Sequence, residues 1–122
     1  MRGVQHILVV DDDAGIRDTL AELLELEGFQ VSSASDGLEA LHRLQERRPD
    51  VIVVDRFMPR LDGVEFVARL RSDAATSDIP VVLMSGTCPA PGEPLAQVDA
   101  LLAKPFDLAA LLETVRRLGA RG

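Results

Sequence analysis

Residues able to do chemistry stand at matching places along this chain. Asp11, Asp12 and Asp13 close one short apolar run, Asp55 closes another, Ser85 a third, and Lys104, followed by Pro105, a fourth. Clustered carboxylates repel one another, and a hard divalent cation relieves that repulsion while taking oxygen ligands. Magnesium suits such a set because it prefers octahedral oxygen coordination, keeps several waters and is completed by a substrate phosphate. A lysine and a hydroxyl opposite the cation neutralise the remaining phosphate oxygens, and an aspartate can act as nucleophile, forming an aspartyl phosphate. Singly, each residue has a plainer reading: Asp13 as a helix cap, Ser85 as a turn residue, Lys104 as a solvated charge. Their joint placement favours a divalent-cation and phosphoryl site.

The elements that must position them follow from hydrophobic periodicity. Continuous apolar runs at 7–10, 51–54 and 81–84, and a weaker one at 100–103, read as strands covered on both faces. The more polar run 29–33 reads as a strand near a sheet edge. Between them lie stripes at helical spacing: Ile16, Leu20, Leu23 and Leu24; Leu38, Leu41 and Leu44; Val64, Phe66, Val67 and Leu70; and Leu108, Leu111, Leu112, Val115 and Leu118. Asp62 and Glu65 have capping-box spacing, and Asp107 can cap the last helix. Strand and helix alternate, so a doubly wound α/β domain is expected, with ligands bound outside the carboxyl ends of the strands. The stretch 86–94, GTCPAPGEP, breaks the pattern. A proline in a helix interior costs about 3 kcal/mol, so the fourth helix is expected to be missing or cut to one turn around Leu95, Ala96 and Gln97. Residues 119–122 read as a frayed terminus.

Composition sets the outer bounds. The chain has 122 residues, with 13 Lys and Arg against 20 Asp and Glu, a formal net charge of −7. That length suits one domain able to bury a core unaided. An apolar share of 47% rules out a disordered chain, and the acid excess argues against direct nucleic-acid binding. The single cysteine, Cys88, permits no internal disulfide and fits a cytoplasmic protein. No apolar run reaches the ~20 residues of a membrane span, so no membrane insertion is expected. His6 and His42 read as surface residues.

The chain resembles the receiver domains of two-component response regulators. The resemblance rests on ILVVDDD at 7–13, VIVVDRFMPRLDG at 51–63, VVLMSG at 81–86 and LLAKPF at 101–106, in the family's order over nearly the whole chain. It implies a flavodoxin-like, five-stranded parallel sheet in the order 2-1-3-4-5, sandwiched by helices, and the length leads us to expect residues 1–122 as a single receiver with no output domain. By position, Asp55 would accept the phosphoryl group. Asp11 and Asp12 would be the acidic pair for Mg2+, with Asp12 the preferred direct ligand, alongside Asp55 and the backbone carbonyl of Phe57. Ser85 would be the switch hydroxyl, and Lys104 would pair with Asp55 at rest and with the phosphoryl group afterwards, next to a cis bond to Pro105. The donor would be a phosphohistidine on a histidine kinase or histidine phosphotransfer protein. The output would be a changed surface presented to a downstream protein.

The sequence departs from the family in two places. The family's switch aromatic, three residues before the lysine, is replaced by Leu101, and the segment between Ser85 and Lys104 is short and proline-rich. The stretch 86–98 is therefore expected to be a partly irregular loop that docks a partner or orders on phosphorylation. Phe57 and Thr87 hold the two positions that tune phosphoryl lifetime in this family, and a phenyl ring at 57 could restrict the approach of water. The alternative function is a pseudo-receiver, an interaction module independent of phosphorylation, for which Leu101 and the eroded helix argue. An aspartyl phosphatase fares worse, because its second Asp would stand where this chain has Phe57. Nucleotide-cofactor folds lack their glycine loops here.

Overall fold

The computed structural model describes residues 6–86 and 98–121. Its elements follow in the order β1 His6–Val10, α1 Ala14–Leu26, β2 Gln30–Ala34, α2 Gly37–Glu46, β3 Val51–Asp55, α3 Gly63–Ser72, β4 Val81–Ser85, β5 Ala100–Ala103 and α4 Leu108–Arg121. All pairings are parallel and the strand order is β2-β1-β3-β4-β5. The expected sheet order and the edge position of the polar strand β2 both hold. Thr87, Cys88 and the turn expected around Leu95 lie outside the described residues, as does most of the loop expected at 86–98.

The three inner strands are buried along their whole length, and alternate side chains feed two apolar layers. Ile7, Val9, Val51, Val53, Val82 and Met84 face α1 and α4, where Leu24, Leu111 and Val115 are buried. Leu8, Val10, Ile52, Val54, Val81 and Leu83 face α2 and α3, where Ala40, Phe66, Val67 and Leu70 are buried. Truncating a side chain such as Leu70 to alanine costs about 2–5 kcal/mol in such a core. The sheet is therefore a rigid platform, and its carboxyl edge is where polar groups escape the two layers.

The helices start where the sequence places caps. Asp13 Oδ1 accepts from the Ile16 amide and Asp107 Oδ1 from Ala110, and Asp36, not anticipated from the sequence, caps α2 by accepting from the Glu39 amide. Asp62 and Glu65 form a reciprocal capping box. Three expectations need correction. The run at 100–103 forms β5 but is not covered on both faces: it is an edge strand whose residues alternate between half-buried and exposed, because only β4 flanks it. The last helix continues through 119 and 120 to Arg121, because Leu111, Val115 and Leu118 hold its apolar face against the sheet. His6 is buried rather than on the surface, at 3% exposure. It begins a strand flanked by β2 and β3; its amide donates to Asp50 Oδ2 at 2.9 Å, and its Nε2 lies 2.7 Å from Ser32 Oγ.

Candidate functional site

Four strand ends converge at the carboxyl edge of the sheet. β1 and β3 are neighbours, so Asp11, just past one, and Asp55, ending the other, emerge side by side. β4 and β5 do the same for Ser85 and Lys104: Ser85 pairs in register with Ala103, and the Lys104 amide donates to the Ser85 carbonyl at 2.8 Å. Asp11, Asp12 and Asp55 each offer a carboxylate oxygen within 4.8 Å of the others. Lys104 Nζ donates to Asp55 Oδ1 at 2.8 Å and stands 4.0 Å from Asp11 Oδ2. Asp11, Asp12, Asp55, Ser85 and Lys104, named from strand ends, are thus brought to one edge.

The two members of the acidic pair differ in environment. Asp12 is exposed, whereas Asp11 is 1% exposed. Asp11 Oδ1 accepts from the Asp13 amide at 2.9 Å, and Oδ2 has no hydrogen-bond partner among the described residues. Burial pushes the Asp11 carboxyl above the usual range, against the Asp13 amide, and the Asp55 charge raises it further. Lys104 is raised in turn: burial disfavours its ammonium, but the hydrogen bond and charge of Asp55 outweigh that. A buried carboxylate oxygen without a hydrogen bond, beside two further carboxylates, is a donor set suited to a hard divalent cation. An all-oxygen set does not suit a soft one.

The surrounding loops are tied down locally. The Asp11 amide donates to the Ala34 carbonyl at 3.1 Å, and Arg17 Nη1 donates to the Asp11 carbonyl at 2.9 Å. The loop after Asp55 closes through the Gly63 amide on the Arg56 carbonyl at 2.8 Å. Only glycine fits at 63, since a Cβ there would sit 2.5 Å from the Asp55 carbonyl oxygen. Phe57 is 58% exposed on this loop, with the Arg56 guanidinium 5.0 Å from its ring centroid. Lys104–Pro105 is cis, as the family pattern implies. Leu101 is 40% exposed on β5.

Sequence reading missed one pair at this edge. Arg60, on the loop after Asp55, donates through Nε to Asp36 Oδ2 at 2.9 Å and through Nη2 to the same oxygen. Asp36 is 5% exposed. Burial opposes its ionisation, but the Glu39 amide and the Arg60 guanidinium hold its carboxyl below the usual range. The one local signal was Asp36 ahead of a helical stripe, which reads as a cap and says nothing of Arg60.

A family model for the response regulator receiver domain matches residues 7–116. The response regulator MprA of Mycobacterium sp. (strain KMS) is 41% identical over 117 residues, covering 93% of this chain and 50% of that protein. The chain thus spans about half the length of the curated relatives it matches. Among solved structures, a sensor protein from Polaromonas sp. JS666 aligns with a TM-score of 0.87 and 30% identity, over 96% of this chain and 97% of that one. The response regulator TrrA of Thermotoga maritima, solved in complex with Mg(2+)-BeF, aligns with a TM-score of 0.84 and 30% identity, over 93% and 98%. None of the described helices is long and apolar enough to cross a membrane.

Proposed function

The chain belongs to the response regulator receiver domain family, and from that premise we propose that it accepts a phosphoryl group from a phosphohistidine onto Asp55, with Mg2+ as cofactor. The observation that carries this reading is the Lys104–Asp55 contact beside three carboxylates whose oxygens lie within 4.8 Å. The donor is a histidine kinase or histidine phosphotransfer protein, the recipient of the signal is a downstream protein, and the site of action is the cytoplasm.

Asp11, Asp12, Asp55 and the Phe57 carbonyl would hold the cation. Bound there, it would neutralise charge on the phosphoryl oxygens. An Asp55 carboxylate oxygen attacks phosphorus in line, the N–P bond breaks as the new O–P bond forms, and the imidazole leaves with the bonding pair. Lys104 holds the Asp55 carboxylate before transfer and pairs with a phosphoryl oxygen after it. Ser85, buried beside Lys104, donates its hydroxyl to another. Pro105 follows Lys104 and sets the course of the chain behind it. Phosphorylation adds charge and acceptor oxygens, and redirecting Ser85 and Lys104 toward them biases the surface they border. Thr87 and Phe57 would tune how long the acyl phosphate lasts.

Incubation with Mg2+ and acetyl phosphate tests the reading. The expected result is a mass gain of one phosphoryl group that Asp55→Asn abolishes. The second reading, an interaction module independent of phosphorylation, is favoured by the exposed leucine at 101 where the family has an aromatic switch. No mass gain in the wild type supports it and overturns the first.

A further inference from the structure

The β2–α2 corner touches both loops of the acidic site. At one end the Ala34 carbonyl accepts from the Asp11 amide at 3.1 Å. At the other, the Gly37 amide donates to the Leu61 carbonyl at 3.2 Å, and Asp36 Oδ2 accepts from both Nε and Nη2 of Arg60. The fit is close, since a Cβ on Gly37 would lie 2.6 Å from the Leu61 carbonyl oxygen. Arg60 itself has φ 67°, and among the described residues no other non-glycine residue has a positive φ. Side chains rarely adopt that backbone without a compensating contact, and Asp36 supplies one.

We propose that Asp36 and Arg60 are positioning residues for the cation site, a brace that sets the loop carrying the Phe57 carbonyl at a fixed place relative to Asp11 and Asp12. The inference rests on the receiver reading above and deepens it. Neither side chain belongs to the carboxylate cluster of Asp11, Asp12 and Asp55. Asp36 is anchored independently by capping α2 through its other oxygen, from the Glu39 amide at 2.9 Å. Leu61 is 5% exposed, so the loop is also held from below by the core. A planar guanidinium fork fixes direction as well as distance, which a lysine cannot do. Groups that orient ligands in this way govern metal affinity without binding the metal. The plainer role is a partly exposed ion pair that adds a little stability, and the two roles differ in what they do to Mg2+ binding.

The test uses the full chain, stripped with EDTA and titrated with Mg2+ by isothermal calorimetry, with thermal midpoints recorded in EDTA. Arg60→Asn keeps a residue that tolerates left-handed backbone, and Asp36→Asn keeps a residue that caps helices. Each is expected to weaken Mg2+ binding by about 10-fold, and the double variant by no more than the weaker single one. Arg60→Lys is expected to recover part of the loss, and serves as the primary variant if Arg60→Asn does not fold. Leu118→Ala, in the opposite apolar layer, is expected to lower the midpoint and leave Mg2+ affinity at the wild-type value. Folded brace variants that bind Mg2+ as the wild type does overturn the proposal. So does a Leu118→Ala protein whose affinity falls in step with its stability. A wild type that neither binds Mg2+ nor gains a phosphoryl group is a different result, and removes the phosphoryl-acceptor reading on which the brace rests.

Discussion

Lys104 Nζ donates to Asp55 Oδ1 at 2.8 Å while standing 4.0 Å from Asp11 Oδ2, which has no hydrogen bond among the described residues. One ammonium therefore offsets two buried carboxylates on adjacent strands. It also occupies part of the field that a cation at Asp11, Asp12 and Asp55 would feel, so lysine and metal compete electrostatically for the same charge.

Replacing this lysine separates the two effects. Lys104→Met leaves the buried carboxylates without their cation, and is expected to lower stability in EDTA by about 1–3 kcal/mol. The same variant is expected to bind Mg2+ more tightly, so added Mg2+ raises its thermal midpoint by more than it raises that of the wild type. Melting curves with EDTA and with Mg2+ check both. A variant with unchanged Mg2+ response would show that the lysine and the cation do not share a field.

Gly63 is a packing constraint on the same site. An alanine Cβ would lie 2.5 Å from the Asp55 carbonyl oxygen and 2.8 Å from Leu83 Cδ1. Backbone must move, and Gly63→Ala is expected to cost about 1–3 kcal/mol, as overpacking does. The movement falls on Asp55, so phosphoryl gain from acetyl phosphate is expected to slow as well. Urea denaturation and intact-mass time courses measure the two losses.

Phe57 lies exposed on the loop after Asp55, under the Arg56 guanidinium. Phe57→Asn exchanges an apolar ring two residues past Asp55 for a group that can orient water. The aspartyl phosphate is expected to decay severalfold faster in the variant, read by mass spectrometry after donor removal. An unchanged decay rate would leave Phe57 as a loop-packing residue only.

His6 makes stability depend on pH far from the acidic site. Burial lowers its pKa, the Arg47 charge adds to this, and the Arg48 backbone and the Asp50 charge oppose it. The unfolded chain therefore binds a proton near pH 6.5 that the folded chain refuses. The stabilising difference is present above that pH and is lost as pH falls through the range below it. The urea midpoint is expected to drop between about pH 7 and pH 5, and the drop to flatten in His6→Gln. Asp36 and Glu39, whose carboxyls are held low, act only at more acid pH and do not blur this window.

Much of the site was legible because its rules are local. Asp11, Asp12, Asp55, Ser85 and Lys104 could be named from their places after apolar runs, and α/β sheets put strand ends at one edge. The caps at Asp13, Asp62 and Asp107 were equally readable from spacing. The burial of His6 was not, because its partner Ser32 is 26 residues away on an edge strand. Nor was the Asp36–Arg60 pair, which joins residues 24 apart through a turn that places Arg60 at positive φ.

The amino-acid sequence by itself determined the alternation of strands and helices, the types of residue at each strand end and the family. Hydrophobic periodicity and capping act within a few residues, and the chain needs no partner to express them. The tertiary structure alone decided that Asp11 is the buried member of the acidic pair and Asp12 the exposed one, and that Asp36 meets Arg60. Each of these depends on which strands are neighbours and on where loops close over the sheet. Those distances are set by packing two apolar layers onto one sheet, and no short window of sequence contains them.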